Sequence, residues 1–328
     1  MSKITKSDLI AFAKDDFDSF ADALTEILPQ FVKLKWYQDV PYKSWLPKWQ
    51  KAGFTILPNH YYSPIPDLNN LTTEILKKPL PLYGVDLSIE NQLILIKKLG
   101  KYKSEYNEFA FRDAPRKDGK YFLGGPFPPV DAMVAYAMVR HVKPKRIIEI
   151  GSGHSTLAML EACHMNRQEG LPVEFLSIDP YENPVKKFGA TGLSKFHEVK
   201  VQDLPIGFFE SLQENDILFI DSSHVLRPGN DVEYEYFSIL PSLNNGVHIH
   251  VHDVFLPKPY PSNWLTKEHI FWNEQYILAA FLAYNSEFVT TFSVSHLCNE
   301  YQTEMKSIIP DAVESLSGGS YWLKRKSP

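Results

Sequence analysis

The rhythm of hydrophobic positions changes near residue 125. Before it, apolar residues recur at helical spacing. Leu9, Ile10, Phe12, Ala13, Phe17, Phe20, Ala21 and Leu24 predict a helix over residues 6–28, with Ser7 and Asp8 near its start. Gln92, Leu93, Leu95, Ile96 and Leu99 predict another, from Ser88 as N-cap to about Phe109. Between them the stretch LPNHYYSPIPDL carries three prolines, which forbid regular structure.

After residue 125 the pattern alternates. Asp131 to Val142 reads as a helix closed by Lys143-Pro144. Strand RIIEIG, helix STLAMLEACHMN, strand VEFLSID, a loop with a short helix, and strand HEVKVQD follow. Helix PIGFFESL, strand DILFID, a helix around Tyr234 to Leu240, and strand GVHIHVHD come next. A helix WNEQYILAAFLAYN, a strand FVTTFSV and a last strand SYWLKRK complete the run. Apolar strands interleaved with helices predict an α/β fold, a doubly wound, mostly parallel sheet covered on both faces. The expected division is a mainly helical region over 1–124 and the α/β domain over 125–328, joined at Gly124-Gly125-Pro126. Ligands of such sheets bind beyond the carboxyl ends of the strands, where strand order switches.

Composition narrows the functions. The 328 residues are 44% hydrophobic and 22% charged, with a net charge of −5. An acidic balance disfavours a nucleic-acid partner held by phosphate contacts, and the basic tail Lys324-Arg325-Lys326 reads as solvated. Cys163 and Cys298 are far apart, so no disulfide framework is expected. The N-terminus lacks the apolar run of a signal peptide, and no stretch is long enough for a membrane span. A cytoplasmic protein with no membrane partner is the expectation.

The sharpest local signal is Glu149-Ile150-Gly151-Ser152-Gly153-His154-Ser155-Thr156, which closes a strand and opens a helix. It is not a dinucleotide fingerprint, because Thr156 stands where the third glycine belongs. Asp179 also follows Gly151 by 28 positions, longer than the roughly 20 of such sites. Nor is there a Walker-type lysine.

The pattern E-x-G-x-G-x-S-T instead resembles motif I of the class I S-adenosylmethionine-dependent methyltransferases, and the likeness extends over about residues 125–328. It implies a seven-stranded Rossmann-like sheet with the last strand antiparallel. Gly151, Ser152, Gly153 and Ser155 would form the cofactor loop. Glu149 would orient that loop or reach the amino group, Asp179 would take both ribose hydroxyls, and Gln202 and Asp203 would meet the adenine edge.

The order of Asp221, His224, Asp231, LPSLNNG and His252-Asp253 is similar to a subgroup that methylates hydroxyls on small molecules, sugars and natural products among them. By that likeness Asp221, His252 and Asp253 hold a divalent ion. The histidine departs from an all-oxygen set and opens the choice to Mg, Mn, Fe or Zn. Alternatively no metal binds, and His252 or His224 acts as general base beside Asp221.

Spacing separates the three histidines of GVHIHVHD. Residues two apart on a strand lie about 6.6 Å apart and those four apart about 13 Å, so one ion cannot take all three. His252 and Asp253 should reach the carboxyl edge, while His248 and His250 should be buried in the core. The region before residue 125 would form a lid over the substrate or a homodimer surface. Tyr61 and Tyr62 in the proline-rich loop are substrate candidates or packed loop aromatics. Trp264 and Glu274, after the fifth strand, are further candidates, with Glu274 equally placed to open a helix. Two rival readings remain: a same-fold enzyme that transfers another part of S-adenosylmethionine or cyclises it, and a non-catalytic cofactor-binding module.

Overall fold

In the computed structural model the described residues are 5–31, 41–57, 59–108, 110–111, 122–123, 126–181, 186, 190–311 and 313–326. The expected join at Gly124-Gly125 lies outside them. The chain forms two compact units, Met1–Thr72 and Thr73–Pro328.

The first unit contains α1 (Lys6–Asp15), α2 (Phe17–Phe31) and α3 (Pro41–Lys51). The single helix expected over 6–28 is therefore two. Thr5, not Ser7, caps α1: its hydroxyl accepts the Asp8 N–H at 3.2 Å while the Asp8 carboxylate accepts the Thr5 N–H at 2.8 Å. The break falls at Asp16, whose carboxylate accepts the Ser19 N–H at 3.0 Å and so starts α2. A side chain that caps the next helix competes with continuing the last one. Leu9, Ile10, Phe12 and Phe17 stay exposed, so the periodicity in α1 does not mark a core face of this unit.

The second unit is built on seven strands: β1 (Arg146–Ile150), β2 (Glu174–Ile178), β3 (Lys195–His197), β4 (Ile217–Ile220), β5 (His248–Val251), β6 (Phe288–Ser293) and β7 (Tyr321–Arg325). Their spatial order is β3-β2-β1-β4-β5-β7-β6. β1 to β5 are mutually parallel, and β7 inserts antiparallel between β5 and β6. The basic tail is thus part of the sheet, and the Arg325 guanidinium donates to the Pro241 carbonyl at 2.6 Å.

Alternate residues of each strand feed two cores. Ile147, Phe175, Phe219 and Trp322 pack under α4 (Ile89–Leu99), α5 (Pro129–Val142) and α6 (His154–Gln168). Ile148, Leu176, Ile220, Val251 and Leu323 face the helical run over residues 231–242 and α7 (Glu274–Leu282).

α4 belongs with the sheet, because Ile96 and Leu99 are buried in that core and Gln92 Oε1 accepts the Ser293 N–H at 2.8 Å. The compact units therefore part earlier than the 124/125 division read from the sequence. Ser88 makes no side-chain cap; its backbone is left-handed, with φ of 50°, and its hydroxyl bonds Asp86. α4 ends at Leu99, and Gly100–Glu108 continues as a tighter 3₁₀ turn. HEVKVQD holds only the end of β3, with Val201–Asp203 as a 3₁₀ turn. PIGFFESL keeps one such turn, Ile206–Phe208, after Pro205.

Candidate active site

The loop after β1 rests on Glu149. Its side chain is fully buried and accepts hydrogen bonds from Ser155 Oγ at 2.9 Å, Thr156 Oγ1 at 2.7 Å and Ser177 Oγ at 2.7 Å. Thr156 Oγ1 in turn accepts the Gly153 N–H at 3.0 Å, so one carboxyl ties down the whole turn. Burial pushes that carboxyl up to about 8, against the three hydroxyls that pull it down. Gly151 has φ of +84°, and a Cβ there would stand 1.8 Å from the Asp221 carbonyl oxygen. Only glycine lets β1 and β4 end so close together. Asp179, after β2, accepts the Ser152 N–H at 3.1 Å and the Tyr181 N–H at 2.8 Å.

These strand ends wall a cleft of about 530 Å³ at the switch in strand order between β1 and β4. Gly151, Asp179, Tyr181, Gln202, Asp221 and Asn230 are among its lining residues.

Asp221 also belongs to a second group. Its Oδ1 lies 3.3 Å from His224 Nε2 and 3.4 Å from His252 Nδ1. Asp253 Oδ2 lies 3.6 Å and 3.4 Å from the same two nitrogens. One ligand atom each of Asp221, His252 and Asp253 falls within 4.8 Å of the others. Behind His224, Nδ1 meets Glu274 Oε2 at 2.8 Å; behind His252, Nε2 faces Asp131 Oδ2 at 3.4 Å. Burial lowers both imidazole pKa values, but the carboxylates outweigh it. Asp221 and Glu274 hold His224 up at about 10, and Asp221, Asp131 and Asp253 hold His252 well above the ordinary value. Burial likewise opposes ionisation of Asp221, and the two histidines reverse this and keep it well below the usual range.

Residues 148–254, which hold the loop, the cleft and the end of β5, match the family model for a methyltransferase domain. Over these residues the chain is similar to a methyltransferase domain. An uncharacterized protein of Archaeoglobus fulgidus is 29% identical over 178 residues, 51% of this chain and 78% of that one. Among solved structures, the O-methyltransferase TomG from Streptomyces achromogenes, in complex with S-adenosylmethionine, shares 14% identity at a TM-score of 0.36. That match covers 71% of this chain and 89% of TomG. An O-methyltransferase from Bacillus cereus shares 10% identity at a TM-score of 0.36, covering 71% of this chain and 90% of its own. At such TM-scores these likenesses do not bear on the chemistry.

Of the residues expected at the cofactor, Gly151, Asp179, Gln202 and Asp221 line this one cleft. Glu149 and Ser155 lie beneath it, and with both oxygens of Glu149 occupied by hydroxyls, that residue orients the loop. Ser152 contributes through its backbone to Asp179. Gly153 and Asp203 are not among the lining residues, and Asp203 is exposed.

His250 is fully buried, stacked on Phe219 at 3.7 Å with Nε2 2.9 Å from Ser320 Oγ, and burial drives its pKa well below the ordinary value. His248 is half-buried, and burial takes it down to about 3. His250 is thus a core histidine, as the strand spacing predicts, whereas His248, at the start of β5, is less buried than expected.

Of the two readings of Glu274, the second holds: it opens α7. It is 1% exposed and engaged by His224 and by the Tyr236 hydroxyl at 3.2 Å, so it stands behind His224 and not on a surface open to substrate. Trp264 packs among Phe255, Tyr260 and Trp272, and Trp272 lies 4.4 Å from the His224 ring. Tyr61 and Tyr62 sit in the first unit with 95% and 66% exposure, their rings edge-to-face at 5.3 Å.

Asp131 was not singled out by sequence. It is fully buried in the first turn of α5 and accepts the Gly319 N–H at 2.8 Å and the Ser320 N–H at 2.9 Å. Its one signal is a lone acid in the apolar run PVDAMVAYAMV.

Proposed function

We propose that this domain transfers the methyl group of S-adenosylmethionine to a hydroxyl of a small molecule, with Asp221, His252 and Asp253 holding a divalent cation. One observation carries the reading: Asp221 lines the cleft and also stands within 3.4 Å of both imidazoles. Cofactor pocket and polar cluster thus meet at one carboxylate.

The donor set fits a cation. Two carboxylates and an imidazole supply three ligand atoms, and the 3.4 Å from His252 Nδ1 to each carboxylate exceeds the roughly 2.7–2.9 Å of a charged hydrogen bond. A bound dication lowers the pKa of a coordinated hydroxyl. The chain's own residues do the rest. Asp179 has lone pairs left for ribose hydroxyls after its two backbone bonds, and Gly151 admits the cofactor close to the backbone. Gln202 faces the adenine edge. In-line transfer requires the acceptor oxygen about 3 Å from the methyl carbon, which places it against Asp221. The proton that oxygen sheds leaves toward His224, which stands outside the cation set with its Nε2 3.3 Å from Asp221 Oδ1. The region before residue 125 serves as a lid or self-association surface.

The test is methyl transfer from labelled S-adenosylmethionine to a panel of hydroxylated small molecules. His252→Ala should cut turnover by at least about 100-fold while leaving cofactor affinity within about 2-fold. Unchanged turnover, or methylthioadenosine as the product, would refute the assignment.

A further inference from the structure

We infer that a hollow at the amino edge of the sheet is a second binding site, which takes a neutral sugar ring and is separate from the cleft after β1. The inference does not depend on the methyl-transfer reading.

Register gives the place. β6 begins at Phe288, paired with Arg325, and β5 begins at His248, paired with Lys324. Both start where β4 starts, so this edge is opposite the one that carries Asp221, His252 and Asp253. A hollow of about 260 Å³ opens there. Buried Leu282, Phe288 and Thr290 line it together with exposed Asp86, Tyr284 and Lys326. Its volume falls below the roughly 300–1,000 Å³ of pockets for drug-sized molecules and suits a single small ring.

The first ground is Tyr284. It follows the end of α7 with a left-handed φ of 57°, at a position where glycine or asparagine is the usual residue. A bulky side chain is strained there, and the residue is 84% exposed, so burial does not offset the strain. Strain of this kind collects at ligand clamps and active sites. The ring is also seated. Gly84, with φ of +72°, offers its carbonyl to the Tyr284 N–H at 2.8 Å, and a Cβ on Gly84 would stand 2.7 Å from the ring. The backbone thus holds a flat aromatic face beside the hollow. A tyrosine held in this way supplies rigid, amphipathic contact area at little entropic cost.

The second ground is the set of polar groups. The Thr290 hydroxyl lies 2.8 Å from the hydroxyl of Tyr321, and both residues are buried. Asp86 is held by the Ser88 N–H at 2.7 Å and the Ser88 hydroxyl at 3.1 Å, and it keeps lone pairs for a ligand. Lys326 adds donors only, and the Ser286 hydroxyl both donates and accepts. One carboxylate and one ammonium balance in charge, so an ion of either sign would meet a like charge. A purely apolar ligand would leave the hydroxyls without partners. A neutral sugar meets the whole set, with hydroxyls that donate and accept and a C–H face for the aromatic ring.

The third ground is order in the loop after α7. The Asn285 amide donates to the Phe281 carbonyl at 3.0 Å, and its oxygen accepts the Glu287 N–H at 3.0 Å. The Glu287 carbonyl accepts the Lys326 N–H at 2.8 Å. A site already held in shape loses little freedom when it binds.

The experiment titrates the full chain, with labelled tyrosine rings, with D-glucose, D-galactose, D-mannose and N-acetyl-D-glucosamine, and follows the rings by nuclear magnetic resonance. Each sugar is taken to about 20 mM, which covers the millimolar affinity of so small a site. At least one sugar should shift the Tyr284 ring saturably, while Tyr181 in the cleft stays unmoved. Tyr284→Gly should weaken that sugar about 10-fold, read from saturation transfer to the sugar itself. Its thermal midpoint should stay equal or rise, since glycine accepts the left-handed backbone. Gly84→Ala, which pushes the ring from its seat, should also weaken the sugar. No saturable shift of Tyr284 with any of the four, equal sugar affinity in Tyr284→Gly, or a shift of Tyr181 in place of Tyr284 would overturn the inference. The wild-type titration decides even if the variants fail to fold, and it decides whether or not S-adenosylmethionine binds.

Discussion

Glu149 makes the loop after β1 sensitive to pH through a group that never meets solvent. Its carboxyl sits at about 8 in the folded chain, raised by burial above the ordinary glutamate value. Between those two values the folded state keeps a proton that the unfolded state has released, so stability falls as pH rises from about 4.5 to about 8. Glu149→Gln removes that linkage. Chemical denaturation across this range should show the wild type losing stability relative to the variant, on the order of 4 kcal/mol in total; parallel profiles would refute the buried, proton-holding carboxyl. At this scale the sequence was informative where strand periodicity applied. His250 and His252 are two residues apart on one face, and depth alone puts the first among aromatics and the second at the carboxylates. Asp131 and the true position of Glu274 were not legible, because each acts on a histidine more than 45 residues away in the chain. Only the closed sheet brings them together.

Elements fared according to how much burial they command. Strands that lie between neighbours bury enough apolar residues to have been found in order. β3, at the sheet edge, is three residues long, and its expected continuation through Gln202-Asp203 turns as 3₁₀ instead. Helices read from periodicity alone were overextended: at Asp16 a side chain caps the next helix, and after Leu99 the chain tightens to 3₁₀. The parallel neighbours β1 and β4 end in close contact at Gly151 and Asp221. Gly151→Ala places a methyl group 1.8 Å from the Asp221 carbonyl oxygen at a φ that disfavours side chains. It should lower the thermal midpoint by several degrees, a cost of at least about 1–2 kcal/mol from the left-handed backbone alone, and it should weaken S-adenosylmethionine binding. A midpoint and affinity equal to wild type would mean that the strand ends part freely.

At the scale of the molecule, strand order does the placing. The switch between β1 and β4 opens the cleft, and the next strand outward, β5, delivers His252 and Asp253 beside Asp221. Antiparallel β7 completes the arrangement, since the glycines before it let the chain run against Asp131 and Asp253. Among the described residues no helix is long and apolar enough to cross a membrane. The alternation after residue 125 gave this architecture away, while α4, which precedes it, joins the same unit through buried contacts that periodicity cannot assign. The measurement that bears most directly on the whole account is calorimetric titration of S-adenosylmethionine into the wild type and Asp179→Ala. The account predicts saturable binding to the wild type and affinity about 5- to 150-fold weaker in the variant, equivalent to about 1–3 kcal/mol of lost charged hydrogen bonds. No binding to the wild type at high micromolar cofactor, or equal affinity in the two proteins, would contradict it.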